Sequence, residues 1–255
     1  MLSELDPSQL PLESEAATRP NALIAELNKH AHLTLEDEAA ITRITRTRRT
    51  MRAHEALFER GRKADNICLI LTGVAMRYRH LADGRRQIFG YLLPGNVCDT
   101  HYVVSNECDH NVQLLSDSEV ALISIADLKN TMFLHPTIER ALLMMELVEA
   151  ATLREWLLNV GQRDAFQKLA HFFCEITARL HALGAVSPDG SYCMPLTQIE
   201  LADTIGLTVV HVNRILQRFR HQDILVWTRG RLTILDQRSL ESIAGFNKSY
   251  LHLDQ

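Results

Sequence analysis

Between residues 53 and 125 the chain advances in short β-prone runs, each cut by a turn signal. This texture restricts the possible folds more than any other feature. The runs cover residues 67–71, 74–78, 87–93, 112–115 and 120–123, and between them stand Gly61, Gly73, Asp83-Gly84 and Pro94-Gly95. An Asp-Gly pair between two such runs signals a hairpin. Many short strands at this spacing form an all-β sandwich or barrel. From residue 136 to about 159 the period changes. Ile138, Ala141, Met145, Val148 and Thr152 follow 3-4-3-4 spacing, and Leu142, Leu143 and Leu147 widen the apolar stripe. A helix this apolar, placed after a domain with its own core, needs a further partner, and a second copy of itself is the economical one. Ile138, Ala141, Leu142, Met145, Val148 and Thr152 are therefore expected at a dimer contact.

The flanks read differently. Residues 1–20 hold three of the seven prolines and few large apolar side chains, which suits a loose tail. Leu23, Ile24 and Leu27 recur at helical spacing, and Thr34-x-x-Asp37 forms a capping pattern for a second helix. In Arg43, Arg46, Arg48, Arg49 and Arg52 the alternation with threonine reads as an exposed strand face, with anion binding as the alternative. Past Gly161 the chain reads as helix over 163–183, loop over 184–191, helices over 198–205 and 209–222, then a hairpin over 225–235 turning at Arg229-Gly230.

The second half carries the chemistry. In Leu196-Thr197-Gln198-Ile199-Glu200 the Thr-x-x-Glu spacing is a capping box that starts one helix. Ala202 is small enough for a second helix to cross closely, Gly206 stands at a sharp turn, and Thr208 can cap the next helix. Val212, Ile215, Leu216 and Phe219 then fall on one face. Together these residues describe a helix-turn-helix spanning roughly residues 198–219. On the opposite face, Val210, Asn213, Arg214 and Gln217 lie at i, i+3, i+4 and i+7. Placed in a major groove, Arg214 can bridge guanine O6 and N7, Asn213 can pair with adenine, and Val210 can meet a thymine methyl. Val209 and His211, at the helix start, are expected at base edges, with phosphate as the alternative. Thr197, Thr208, Arg218, Arg220, Arg229 and Arg231 are assigned to phosphates.

The net charge of −4 hides an asymmetry. Residues 1–161 hold 17 Lys and Arg against 22 Asp and Glu, whereas residues 162–255 hold 10 against 9. Between 206 and 231 there are five arginines and one acid, Asp223. Affinity for phosphate follows local charge rather than the total.

The whole chain resembles the Crp/Fnr family of bacterial transcription regulators over roughly residues 25–235. The resemblance rests on Leu57-Phe58-Glu59-Arg60-Gly61, Ile70-Leu71-Thr72-Gly73, Asp83-Gly84, Leu92-Leu93-Pro94-Gly95-Asn96, and Gly206-Leu207-Thr208 with Val212 and Arg214-Ile215-Leu216. It implies an α+β fold: an N-terminal double-stranded β-roll, a long dimerisation helix and a C-terminal winged helix-turn-helix. The expected divisions are a tail at 1–24, an effector domain at 25–134, the dimer helix at 135–160 and the DNA-binding domain at 161–255. The implied protein is a homodimer on a palindromic operator in double-stranded DNA, with RNA polymerase as a further partner.

Three departures qualify the resemblance. The Gly-Glu pair of cyclic-nucleotide-binding members falls on Asp99-Thr100, the following Arg-Ser or Arg-Thr pair falls near Cys108-Asp109, and no arginine occurs between Arg86 and Arg140. A buried cyclic phosphate needs a cation, so no cAMP is expected. Iron–sulfur members carry several N-terminal cysteines, but the first cysteine here is Cys68, so no such cluster is expected. Val210 stands where many members have glutamate, which removes an acceptor for cytosine N4–H and implies a different operator.

The five cysteines show no short C-x-x-C pair. Cys98, His101, Cys108 and His110, with Cys68 as a further candidate, form a loosely zinc-like set open to three readings: a metal or haem site, a Cys98–Cys108 redox pair, or, the plainer one, ordinary strand and loop residues. There is no G-x-S-x-G, H-E-x-x-H, phosphate loop or dinucleotide fingerprint, so an enzyme is not expected. A helix-turn-helix used only for protein contacts is the alternative function. The N-terminus does not read as a signal peptide and no apolar run reaches membrane-spanning length, so the protein is read as cytoplasmic, without membrane contact.

Overall fold

The glycine-punctuated runs of the first half fold as two antiparallel sheets facing each other across a shared interior. The structure, a computed structural model, describes residues 21–253 apart from Asp99, Asn106 and Arg229; the expected tail at 1–24 therefore lies outside the described residues up to residue 20. Two short helices, α1 (Ala22–Leu27) and α2 (Leu35–Ile44), lead in, and α2 opens on a Thr34–Asp37 capping box. One sheet has the order β1 (Arg48–Met51), β7 (Ser118–Ser124), β3 (Asn66–Ile70), and the other the order β2 (Ala56–Phe58), β6 (Asn111–Leu114), β4 (Ala75–His80), β5 (Arg86–Leu92). A short helix, α3 (Tyr102–Ser105), sits between β5 and β6. The Asp83-Gly84 turn joins β4 to β5 as a hairpin. The arginine–threonine run is divided: Arg43 lies in the last turn of α2, where a strand was expected, while Arg48 and Arg49 lie on β1, which pairs with β7 and exposes Arg48, Arg49 and Thr50. Charged side chains on an edge strand discourage pairing with another chain.

Gly73, between β3 and β4, has φ +86°. A Cβ there would sit 2.0 Å from Ser118 Oγ and 2.8 Å from Asp117 O. Only glycine suits both the left-handed backbone and the close approach.

Two helices follow, α4 (Ile125–Leu134) and α5 (Pro136–Gln162). Proline at the first position of α5 supplies the helical φ where no N–H partner exists. At 27 residues, α5 is about 40 Å long. The second half contains α6 (Ala165–Ala182), β8 (Ser191–Cys193), α7 (Gln198–Ile205), α8 (Val209–His221), β9 (Leu225–Thr228), β10 (Arg231–Ile234) and α9 (Gln237–Ala244). A 3-10 turn at Lys248–Leu251 follows. The sheet order here is β8-β10-β9, so the expected hairpin gains a third strand from a stretch expected to end a loop.

Three apolar clusters form. Ile70, Ala75, Val112 and Val120 fill the inside of the roll. A second cluster joins α1, α2, α4 and the start of α5 to β3 and β7. The third crosses the expected boundary at 161: Met76, Ile88 and Tyr91 of the roll pack with Trp156 of α5 and with the α6–α8 core. The two halves are packed as well as linked.

The dimer stripe requires correction. Ile138, Ala141 and Leu142 are buried in the chain's own core, and Met145 packs against that same cluster. Val148 and Thr152 line the space between α5 and the roll. The apolar face left open is rotated around the helix. It carries Leu143 (58% exposed), Leu147, Leu157 (69% exposed) and Leu158. The 3-4-3-4 reading identified an apolar helix correctly but assigned its inward face to a second copy.

Gly73→Ala is expected to lower the unfolding free energy by about 1–3 kcal/mol. Urea denaturation of the purified protein measures it, and an unchanged midpoint would mean that the turn relaxes around the added carbon.

Candidate nucleic-acid interface

α7 begins where Thr197 and Glu200 exchange hydrogen bonds: Thr197 Oγ1 accepts from the Glu200 N–H at 3.2 Å, and Glu200 Oε2 accepts from the Thr197 N–H at 2.7 Å and from its hydroxyl at 2.9 Å. Both donors of Thr197 are therefore engaged. Thr197 is a cap, and its expected role on phosphate does not fit this geometry. Gly206 ends α7 in the left-handed conformation, φ +67°. Thr208 then caps α8, accepting from the His211 N–H at 3.3 Å. Val212, Ile215 and Phe219 anchor α8, with Phe219 stacked on Phe166 of α6 at 4.3 Å between ring centroids.

The opposite face of α8 is open. Val209, Val210 (63% exposed), His211, Asn213, Arg214 and Gln217 all reach solvent. Arg214 and Arg220 have no carboxylate partner among the described residues. Arg218 places its guanidinium 3.8 Å from the Phe166 ring centre, in a cation–π contact that holds it toward α6. Arg231, at the start of β10, donates to Ser191 Oγ at 2.6 Å and to Ser187 Oγ at 3.1 Å. Ser191 Oγ in turn donates to Asp189 Oδ1 at 2.6 Å, so a carboxylate stands behind the hydroxyl and faces the guanidinium. Arg229 lies outside the described residues.

The reading unit is gripped from the other side by β5. Arg86 Nε donates to Asp203 at 2.8 Å, and Gln87 Nε2 donates to Thr204 O at 3.0 Å. Thr204 Oγ1 donates to Glu200 O at 2.7 Å, so in its 2.5 Å contact with Tyr91 it accepts from the Tyr91 hydroxyl. Burial pushes the Tyr91 phenol well above its ordinary range. Sequence reasoning missed Arg86, Gln87 and Tyr91, because no local pattern marks a contact between positions more than a hundred residues apart.

Between the roll and α5 lies a cavity of about 90 Å³, lined by Phe89, Tyr91, Val97, Thr100, Glu146 and Trp156 among others. Sequence reasoning also missed Arg77 on β4. It is buried, and its guanidinium pairs with Glu149 of α5 across the cavity wall. Thr100 binds Glu146 beside it. The cavity is well below the roughly 300 Å³ of a small-ligand site, and Glu146 and Glu149 share its wall with Arg179. Asp99, expected to repel a cyclic phosphate, lies outside the described residues.

The candidate Cys/His set does not assemble. Cys98 belongs to the roll interior, while Cys108 belongs to the cluster under α1 and α4. His110 Nδ1 is 2.6 Å from Asp109 Oδ1, and the His101 and His110 rings are 6.4 Å apart. Among the described residues, no group of three or more His, Cys, Asp or Glu is placed to hold a metal ion. Burial pushes the Cys68 thiol up to about 12, far from the thiolate that redox chemistry requires. Among the described residues, no helix is long and apolar enough to cross a membrane.

A β-roll joined through a long helix to a winged helix-turn-helix has the architecture of a DNA-binding regulator. Comparison with known proteins agrees. Residues 48–135 match the cyclic nucleotide-binding domain model, and residues 167–243 match the Crp-like helix-turn-helix domain model. The chain is 26% identical to the transcriptional activatory protein AadR of Rhodopseudomonas palustris, over 91% of this chain and 92% of that one. It is 28% identical to the transcriptional activator protein FnrL of Cereibacter sphaeroides, over 73% and 75%. Among solved structures, FixK2 from Bradyrhizobium japonicum superposes with a TM-score of 0.70 at 22% identity, covering 79% of this chain and 98% of that one. The chain belongs to the Crp/Fnr family. It is a DNA-binding transcription regulator, and its family is made of regulators rather than enzymes.

Thr197→Ala should cost about 1 kcal/mol of stability through loss of the cap. Thermal unfolding with hydrogen exchange would place the loss at α7. Loss spread equally over the β-roll would argue against a local cap.

Proposed function

We propose that this regulator acts as a homodimer that reads a palindromic operator through α8, without responding to cAMP. The observation carrying this reading is the open face of α8, where Arg214 stands free of any carboxylate among the described residues, between Val210, Asn213 and Gln217. Arg214 reads guanine; Asn213, Gln217, Val209, Val210 and His211 complete the base contacts. Thr208, Arg220 and, with less freedom, Arg218 and Arg231 meet phosphates, and Arg229 belongs with them by its place in the hairpin. The second copy is supported by the outward face of α5, where Leu143, Leu147, Ala150, Arg154 and Leu157 repeat at heptad spacing. Insensitivity to cAMP is supported by the small cavity and by the engagement of Arg77 with Glu149. The relatives' description as transcriptional activators supports RNA polymerase as a partner and the cytoplasm as the setting.

Selection from a random duplex library tests the reading. It should enrich two half-sites about one helical turn apart. On that site Arg214→Ala should cost about 1–3 kcal/mol and relax one base position, while Arg220→Ala weakens all duplexes alike. Equal losses on selected and random DNA for Arg214→Ala would remove it from base readout. Titration calorimetry with cAMP should give no binding heat, and saturable binding would overturn that part of the reading.

Leu147→Glu should convert the dimer to monomer in light scattering and weaken operator binding, since a charge on the seam opposes its own symmetry mate. An unchanged dimer mass would place the interface elsewhere.

A further inference from the structure

After α9 the chain turns back across the molecule, beyond the end of the helix-turn-helix match at residue 243. Gly245 ends α9 with φ +56°. Phe246 packs edge-on against His171 of α6 at 5.4 Å between centroids, and Tyr250 stacks on the same ring at 6.3 Å. The Tyr250 hydroxyl donates to Glu175 Oε2 at 2.9 Å. Glu175 lies inside the protein, where burial pulls its pKa upward. Its other partners are a donor on α5 and a cation one turn along its own helix. Trp156 Nε1 of α5 reaches both of its oxygens, at 2.9 and 3.1 Å, and the Arg179 guanidinium lies 3.7 Å away. Arg179 also donates to Tyr91 O at 2.9 Å and to Asn96 Oδ1 at 3.0 Å, on the wall of the roll–α5 cavity. Beyond Tyr250, Leu251 is buried, and Leu251 and Leu253 line that same cavity beside Tyr91 and Trp156.

We propose that residues 246–253 are a strap that closes the cavity between the β-roll and α5 and pins the winged helix to the roll. Anything larger than the present cavity that enters there must displace Leu251 and Leu253. That movement withdraws Tyr250 from Glu175 and releases the hold of Glu175 on the α5–α6 junction. The strap thereby couples occupancy of the cavity to the setting of α8. A segment of eight residues can open locally while the roll it covers stays folded, as a switch requires. A buried carboxylate that loses a donor is costly, so the release is felt at Trp156 and Arg179.

The test is hydrogen exchange by mass spectrometry with operator binding by fluorescence anisotropy, on the full chain, on a chain ended at Gly245, and on Tyr250→Phe and Leu253→Ala. The shortened chain should exchange faster, by on the order of tenfold, in peptides covering 22–31, 88–97 and 145–156, while β3 and β7 stay protected. Its operator affinity should change by about fivefold or more, as expected for a coupled equilibrium. Tyr250→Phe keeps the ring packing and removes only the bond to Glu175; it should show the same pattern to a lesser degree, as should Leu253→Ala. Exchange rising equally in β3 and β7 would reduce the segment to general stabilisation and overturn the strap. Local exchange rising in all three variants with unchanged operator affinity would overturn the coupling.

Discussion

The 27-residue helix α5 is apolar on more than one side, and such a helix cannot be satisfied by a single neighbour. Its first turns bury Ile138, Ala141 and Leu142 against the β-roll and its leading helices. Its last turns place Trp156 and Asn159 against α6. Each large apolar side chain fully buried contributes about 1.5–3 kcal/mol, so both ends are firmly held. The remaining face, with Leu143, Leu147, Leu157 and Leu158, has no partner among the described residues. One element therefore ties the roll to the reading unit and keeps a third side open.

Because α5 reaches both halves, the junction between them is a packed surface with directional bonds. Tyr91 is the clearest case. Its backbone borders the cavity, its ring lies 6.1 Å from Trp156 and 5.6 Å from Phe172, and its hydroxyl ends on Thr204 of α7. Hydrogen bonds in a low-dielectric interior fix orientation strongly, because breaking one strands a buried polar group. The setting of α7, and through the Gly206 turn that of α8, is thus bound to the strand that lines the cavity. Arg86 and Gln87 on the same strand reinforce it.

Features written in local chemistry were legible in the sequence. The Thr197–Glu200 capping box, the Gly206 turn and the inward set Val212, Ile215 and Phe219 need only neighbours a few residues away, and their helices fall where expected. The glycine turns placed five of the seven strands of the roll; β1 and β2 were not among the expected runs. Two kinds of feature were not legible. Which side of α5 faces inward depends on what packs there, so the periodicity identified the helix and misassigned its exposed side. Arg77–Glu149, Tyr91–Thr204 and Tyr250–Glu175 each join residues more than seventy positions apart. No spacing rule reaches that far. The Cys98–His110 set shows the converse, since closeness in sequence placed its thiols in two different cores.

The charge arrangement decides how such a reader can discriminate. The chain is acidic overall, at −4, but between 206 and 231 five arginines stand against one acid. Not all of those cations are equally available. Arg218 is held over Phe166 and Arg231 is tied to two serines. With fewer mobile cations, counterion release supplies less of the affinity. In the proposed reading, a larger share comes from the edge contacts of Arg214, Asn213 and Val210, which differ from base to base. Such a balance would weaken non-specific holding more than recognition, as expected of a reader that leaves random DNA readily.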